Sequence, residues 1–238
     1  ICGEPHCQAH TGAAQATAAT TAAVRATRGQ VLFGPSGMTD TVYHSACGGH
    51  TEAWHAMWGG APDPTLSGVP DAPMGIAPVG EEAVARFIAH PPVGAWCAQS
   101  ARRSGVHRWT KRVPGARVTA AVNAKQAIGP VVAIVPLRRG VSGRVLEAQY
   151  IGRDGKLVVK GATANRRLLG RLRSGLWVVE RRGGAPDGPP DEWIFHGGGF
   201  GHGVGLCQHG ALGQARAGYD YRAILNHYYP GARIESIW

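Results

Sequence analysis

The chain has 238 residues, 44% hydrophobic and 17% charged, enough for one large domain or two small ones with a real core and too apolar for a disordered chain. Its formal net charge of +10 favours anionic partners, but no basic helix interleaved with aromatics and no zinc-finger spacing appears, which argues against nucleic acid. No apolar run approaches the ~20 residues that a membrane span needs, and the abundant glycine (36 residues) predicts many turns and a β-rich or mixed fold.

In chain order, the Ala- and Thr-rich stretch predicts a partial helix over 18–28, stopped by Gly29. Gln30–Phe33 and Thr39–Ser45 read as two strands of a hairpin around Gly34-Pro35-Ser36-Gly37, and 60–80 as a Pro/Gly/Asp loop. Glu81–His90 is an amphipathic helix with Val84, Phe87 and Ile88 on one face, ended by Pro91-Pro92. Residues 117–127 read as a helix and 131–137 as a strand. Gly143–Ile151 and Lys156–Lys160 flank Asp154-Gly155, a hairpin signal. Arg166–Leu172 reads as helix, Leu176–Arg182 and Trp193–His196 as strands, 211–217 and 221–229 as helices, and Arg233–Trp238 as a last strand. With no regular βαβ alternation, the fold class is α+β: mixed sheets and hairpins with short helices. The paired arginines at 102–103, 138–139, 166–167 and 181–182 read as solvated surface.

Three segments concentrate chemistry. Residues 197–210, GGGFGHGVGLCQHG, are half glycine and display His202, Cys207, Gln208 and His209 between a strand and a helix. Such a run allows close backbone approach and presents N–H groups to polar ligands, yet it lacks the P-loop Lys-Ser/Thr and the dinucleotide spacing. Residues 44–52, HSACGGHTE, gather His44, Ser45, Cys47, His50, Thr51 and Glu52 around a Gly-Gly turn, a density expected of a site. A Cys-His nucleophilic pair is one reading there, and a polar turn over a buried cysteine is the bland one. Residues 2–10, CGEPHCQAH, place Cys2, His6, Cys7 and His10 close enough to share a metal, with a Cys2–Cys7 disulfide as the alternative. Five cysteines leave at least one thiol outside any pairing.

These segments, with VSGRVLEAQYIGRDG in the middle and GYDYRAILNHYYPG near the end, resemble the SpoIID/LytB family of bacterial cell-wall proteins. The resemblance covers nearly the whole chain as one domain, 1–238, with 73–142 a more variable subregion. It implies a SpoIID-like fold, an extracytoplasmic location in periplasm or cell wall, and action on the glycan strands of peptidoglycan. The family reaction is that of a lytic transglycosylase, which cuts denuded glycan to leave 1,6-anhydro-N-acetylmuramic acid ends. One carboxylic acid serves first as acid and then as base. The alternative is a glycan-binding module that enhances an N-acetylmuramoyl-L-alanine amidase. The family's catalytic glutamate motif precedes the CxxxHCQ-like segment at which this chain begins. A preceding part that carries it is therefore expected to be missing before Ile1. Glu52 is the best local carboxylate and His202 its companion, with Glu52 preferred as a supporting residue. The resemblance also assigns glycan contacts to His44, Ser45, Thr51, Gln208, Gly201 and Gly203, and a structural zinc to Cys2, His6 and Cys7. Trp54, Trp58 and Tyr43 suit sugar faces, although such aromatics more often belong to a core.

Overall fold

The computed structural model describes residues 13–101 and 105–238. Among these, eight α-helices and eleven strands in four small sheets make the expected α+β fold. Cys2, His6, Cys7 and His10, and the Arg102–Arg103 pair, lie outside the described residues.

Thr17 and Thr20 form a capping box at the start of α1 (Ala18–Ala26), and the chain turns at Gly29 with φ 74°. The helix buries none of its residues, so alanine propensity and its cap hold it rather than packing. β1 (Gln30–Gly34) lies between the short β2 (Gly37–Met38) and the final strand, β11 (Arg233–Ser236). The expected hairpin is therefore brief, with only Phe33↔Met38 and Gly34↔Gly37 in register. A tight turn at Asp40 (Val42 N–H to Asp40 C=O, 2.9 Å) redirects the chain. The next strand, β3 (Tyr43–His44), pairs in parallel with β10 (Leu206–Cys207), across most of the sequence.

α2 (Trp54–Trp58), α4 (Trp96–Ala101) and β4 (Arg108–Pro114) have no counterpart in the expectations. α2 is too short to show a period. β4 alternates Trp109 and Val113 inward among charged residues and ends on a proline. α3 (Glu81–Ala89) buries Val84, Phe87 and Ile88 against Leu176, as its spacing predicts, each worth about 2 kcal/mol of apolar burial.

α5 (Gly115–Asn123) leads to a sheet of β5 (Val131–Arg139), β6 (Val145–Gly152) and β7 (Lys156–Lys160), in that order, with the Asp154-Gly155 turn between the last two. α6 (Ala162–Leu168) starts earlier than expected. Buried Asn165 fixes it by binding the Val159 and Gly161 carbonyls and accepting from Tyr150 Oη. β8 (Leu176–Arg182) and β9 (Glu192–Gly198) complete a second sheet in the order β4-β9-β8. One core, containing Trp109, Val122, Ile134, Tyr150, Trp177 and Phe195, joins these two sheets. Segment 73–142 is woven into both through the β4–β9 and β5–β6 pairings.

α7 (Gln208–Arg216) and α8 (Tyr221–Tyr228), capped by Cys207 and Asp220, precede the final strand. The arginine pairs depart from the solvated reading at Arg166 and Arg181, each partly buried on backbone carbonyls, and most clearly at Arg139. The Arg139 side chain is 10% exposed, with its guanidinium on both Glu81 oxygens (2.6 and 2.7 Å) and on the Gly143 and Trp177 carbonyls. It ties α3 to the β5–β6 connection.

Candidate functional site

The two glycine-rich segments interlock. Ala46 and Phe200 exchange backbone hydrogen bonds (3.2 and 2.8 Å), Glu52 N–H donates to Gly203 C=O (2.8 Å), and His209 N–H to Ser45 C=O (3.1 Å). Contact is closest at Gly48 and Gly199. A Cβ on Gly48 would lie 2.8 Å from Gly199 N, and one on Gly199 would lie 2.7 Å from Ala46 O. Both also have positive φ, 80° and 79°, so glycine is needed twice over at this crossing. Gly203 (φ 91°) leaves room for the Arg144 guanidinium, which a Cβ would meet at 2.3 Å.

His202 sits over this crossing. Its Nδ1 accepts from Val204 N–H (3.1 Å), so Nε2 carries the proton and donates to Tyr43 C=O (2.9 Å). That pattern requires the neutral ring. Burial, then the neighbouring His44, holds its pKa down to about 3. The His202 ring lies 5.0 Å from Trp58 and 5.5 Å from His44, and Trp58 packs on Trp54 at 4.6 Å. Trp58 is 49% exposed and Tyr43 40%, so neither is a core residue. His44 Nδ1 bonds Val204 C=O (3.0 Å), and burial lowers its pKa too.

Glu52 is placed differently from a substrate-facing acid. It is fully buried. Its Oε1 accepts from Ala53 N–H (2.9 Å) and Val141 N–H (3.0 Å), and its Oε2 from Ser142 Oγ–H (2.6 Å). Ser142 Oγ in turn accepts from Arg144, whose buried guanidinium also reaches Cys47 C=O (2.7 Å) and His50 C=O (3.2 Å). Thr51 is likewise occupied: its Oγ accepts from Val69 N–H at 2.7 Å. Glu52, Thr51 and Arg144 thus tie the 44–52 loop to the β5–β6 turn and to the 69–71 loop. Arg144 sits inside the VSGRVL motif, where nothing in the sequence sets it apart from a surface arginine.

Successive strand residues point to opposite faces. His44 and Cys207 face inward, while Tyr43 and Leu206 face a cavity of about 530 Å³ that Gln30, Thr39, Gln208 and Tyr221 also line. Gln208 therefore joins Tyr43 on the outer face of the β3–β10 pair. Tyr43 links both regions, because it lines the cavity and its carbonyl holds His202.

Beneath the loops lies a buried cluster that can hold a metal ion. One ligand atom from each of Cys47, Asp71, Cys97 and Cys207 lies within 4.8 Å of all the others. Cys47 and Cys207 stand in segments the sequence marks out. Asp71, in a Pro/Gly/Asp loop, and Cys97, alone on α4, carry no spacing signal and are brought in by the fold.

Residues 52–205 match a family model described as a domain of unknown function, DUF8618. The chain belongs to the DUF8618 family. The match takes in Glu52, Asp71, Cys97, Arg144 and His202, while Cys47 and Cys207 fall just outside it. The chain is also 25% identical over 237 aligned residues, covering 91% of its own length, to an amidase enhancer of Bacillus subtilis (strain 168). A shorter stretch of 41 residues is 54% identical to an uncharacterized protein of Brachyspira hyodysenteriae (strain ATCC 49526 / WA1) and covers 17% of the chain. The chain spans 32% of the length of the first relative and 11% of the second. Among the described residues, no helix is long and apolar enough to cross a membrane.

Proposed function

We propose that this DUF8618 domain holds the glycan strands of peptidoglycan and acts outside the cytoplasm as the strand-binding part of a SpoIID/LytB-like amidase enhancer. The observation that carries this reading is the interlocked loop pair, in which Tyr43 and Gln208 line a cavity, the Tyr43 carbonyl holds His202, and the His202 ring packs on the exposed Trp58. Sugars offer hydroxyls to amides such as Gln208, and apolar ring faces to exposed aromatics such as Trp58 and Tyr43. The cavity of about 530 Å³ is of the size that binds a small ligand portion. Similarity to the amidase enhancer supports the cell-wall assignment, and the net charge of +10 suits a strand whose muramic acids expose carboxylates once their peptides are gone.

In this reading Ser45, Gly201 and Gly203 shape the surface, His44, Thr51 and Glu52 position it, and His202 contributes its ring to it. Glu52 and His202 transfer no protons, because their polar atoms are committed to the fold. Strand cleavage, if the full protein performs it, uses another carboxylate.

The test is co-sedimentation with purified, peptide-stripped glycan strands, followed by mass spectrometry of the products and an amidase assay on whole sacculi. Binding that drops at least tenfold in Trp58→Ala, with faster amidase release and no 1,6-anhydro ends, supports the proposal. Anhydro ends that disappear in Glu52→Gln would make Glu52 the catalytic acid and overturn it. Absence of binding would overturn it outright.

A further inference from the structure

The buried cysteines take no part in the proposed glycan surface, and their arrangement has its own chemistry. We infer that Cys47, Asp71, Cys97 and Cys207 bind one zinc ion in a closed structural site that locks the two glycine loops onto the helices beneath them. The site is distinct from any metal held by Cys2, His6 and Cys7.

Four separate segments supply the ligands: the 44–52 loop, the 69–71 loop, α4, and the β10–α7 junction. Zinc–sulfur bonds of about 2.3 Å set sulfurs about 3.8 Å apart along a tetrahedron's edge. Cys47 Sγ and Cys97 Sγ lie 3.6 Å apart, and all four ligand atoms lie within 4.8 Å of one another. Three sulfurs and one carboxylate are a donor set that suits tetrahedral zinc better than hard, oxygen-seeking cations.

Backbone N–H groups are aimed at two of the sulfurs, as they are at metal-bound thiolates. Gly49 N–H donates to Cys47 Sγ (3.3 Å); Cys47 N–H (3.2 Å) and Gly210 N–H (3.3 Å) donate to Cys207 Sγ. Three thiolates, a carboxylate and a divalent ion leave net negative charge. Two largely buried guanidiniums stand beside it: Arg144 on Cys47 C=O and Arg108 on Gly48 C=O (2.8 Å).

The carboxylate is oriented as a ligand should be. Asp71 Oδ1 accepts from Tyr228 Oη–H, and its Oδ2 from Cys97 N–H (2.9 Å). Gly210 leaves the space for this approach, since a Cβ there would lie 2.0 Å from Tyr228 Oη and 2.3 Å from Asp71 Oδ1. A Cys47–Cys97 disulfide explains two of the sulfurs. It leaves a third thiol and a buried carboxylate packed against it with no opposing charge from a metal.

Binding deprotonates the thiols, so zinc uptake releases protons to the buffer and needs no oxidant or reductant. The test uses the full chain and the Cys2→Ser/Cys7→Ser double variant, both purified without chelating resin. Each is assayed for zinc by plasma mass spectrometry, and for its release by a mercurial that titrates thiols. One zinc per chain, kept in the double variant and lost in Cys97→Ser and in Cys207→Ser, is the expected result. If those serine variants do not fold, release of the double variant's zinc in step with modification of its three remaining thiols carries the same conclusion. Cobalt(II) in place of zinc gives a thiolate charge-transfer band that Asp71→Asn shifts. A metal-free double variant with three free thiols overturns the inference. So does one that has lost two thiols and two protons by mass, since it contains a disulfide. Zinc that the double variant loses while Cys97→Ser keeps it belongs to the other segment and overturns it as well.

Discussion

Glu52 shows how a carboxylate next to a catalytic-looking motif can be structural. Its three donors come from Ala53, Val141 and Ser142, and a Cβ on Gly140 would sit 2.1 Å from Oε2. Glu52→Gln replaces an acceptor oxygen with an amide that faces a donor, at a cost of about 2–3 kcal/mol. Urea unfolding checks the loss, and glycan binding per folded molecule is expected to stay unchanged. The histidines give a prediction of opposite chemistry. Burial holds His50 neutral, lowering its pKa from 6.5 to about 4, and His44 and His202 are lowered for the same first cause. Each gains a proton on unfolding once pH drops below 6.5, so the unfolded state binds more protons and is favoured by acid. Stability is fully present above pH 6.5 and falls toward pH 4, with a slope of up to about 1.4 kcal/mol per pH unit per fully buried histidine. A series of melting temperatures from pH 7.5 to pH 4 checks this, with a shallower decline in His50→Gln.

At the scale of elements, the crossing of the 44–52 and 197–205 segments is the joint on which the proposed surface depends. Gly199→Ala adds a clash with backbone to the strain of positive φ and is expected to cost about 3 kcal/mol or more. Gly218→Ala meets open space at φ 92° and is expected to cost only about 1 kcal/mol. Chemical denaturation of the pair separates strain from contact, and equal losses would deny the close crossing. Elements with a clear period or turn were legible beforehand. α3 shows its apolar face at 84, 87 and 88, and the β6–β7 hairpin announces itself with Asp154-Gly155. β3 was legible as a strand but not in its pairing, because nothing local in Tyr43–His44 points to Leu206–Cys207. α4 and β4 have no sustained apolar period, so nothing local in the sequence marks them.

For the molecule as a whole, the sequence named the two loops and most residues on them, and the fold supplied what makes them a unit. Arg144, Asp71 and Cys97 are long-range contributors that sit in unremarkable sequence. The proposed outer surface of Tyr43, Gln208, His202 and Trp58 rests on two buried groups: Glu52, Thr51 and Arg144, which tie the loops down, and the cysteine cluster. Loss of the cysteine cluster is expected to loosen the loops and the proposed surface together.

The central claim, that the paired loops present one saccharide-holding face, is tested most directly by an NMR titration of the isotope-labelled chain with an N-acetylglucosamine–N-acetylmuramic acid tetrasaccharide. The account predicts saturable shifts at Tyr43, Trp58, His202 and Gln208 that move along one binding curve. Shifts confined to other surfaces, such as the exposed apolar segment around Met74, Ile76 and Val93, or the absence of any shift, would contradict it.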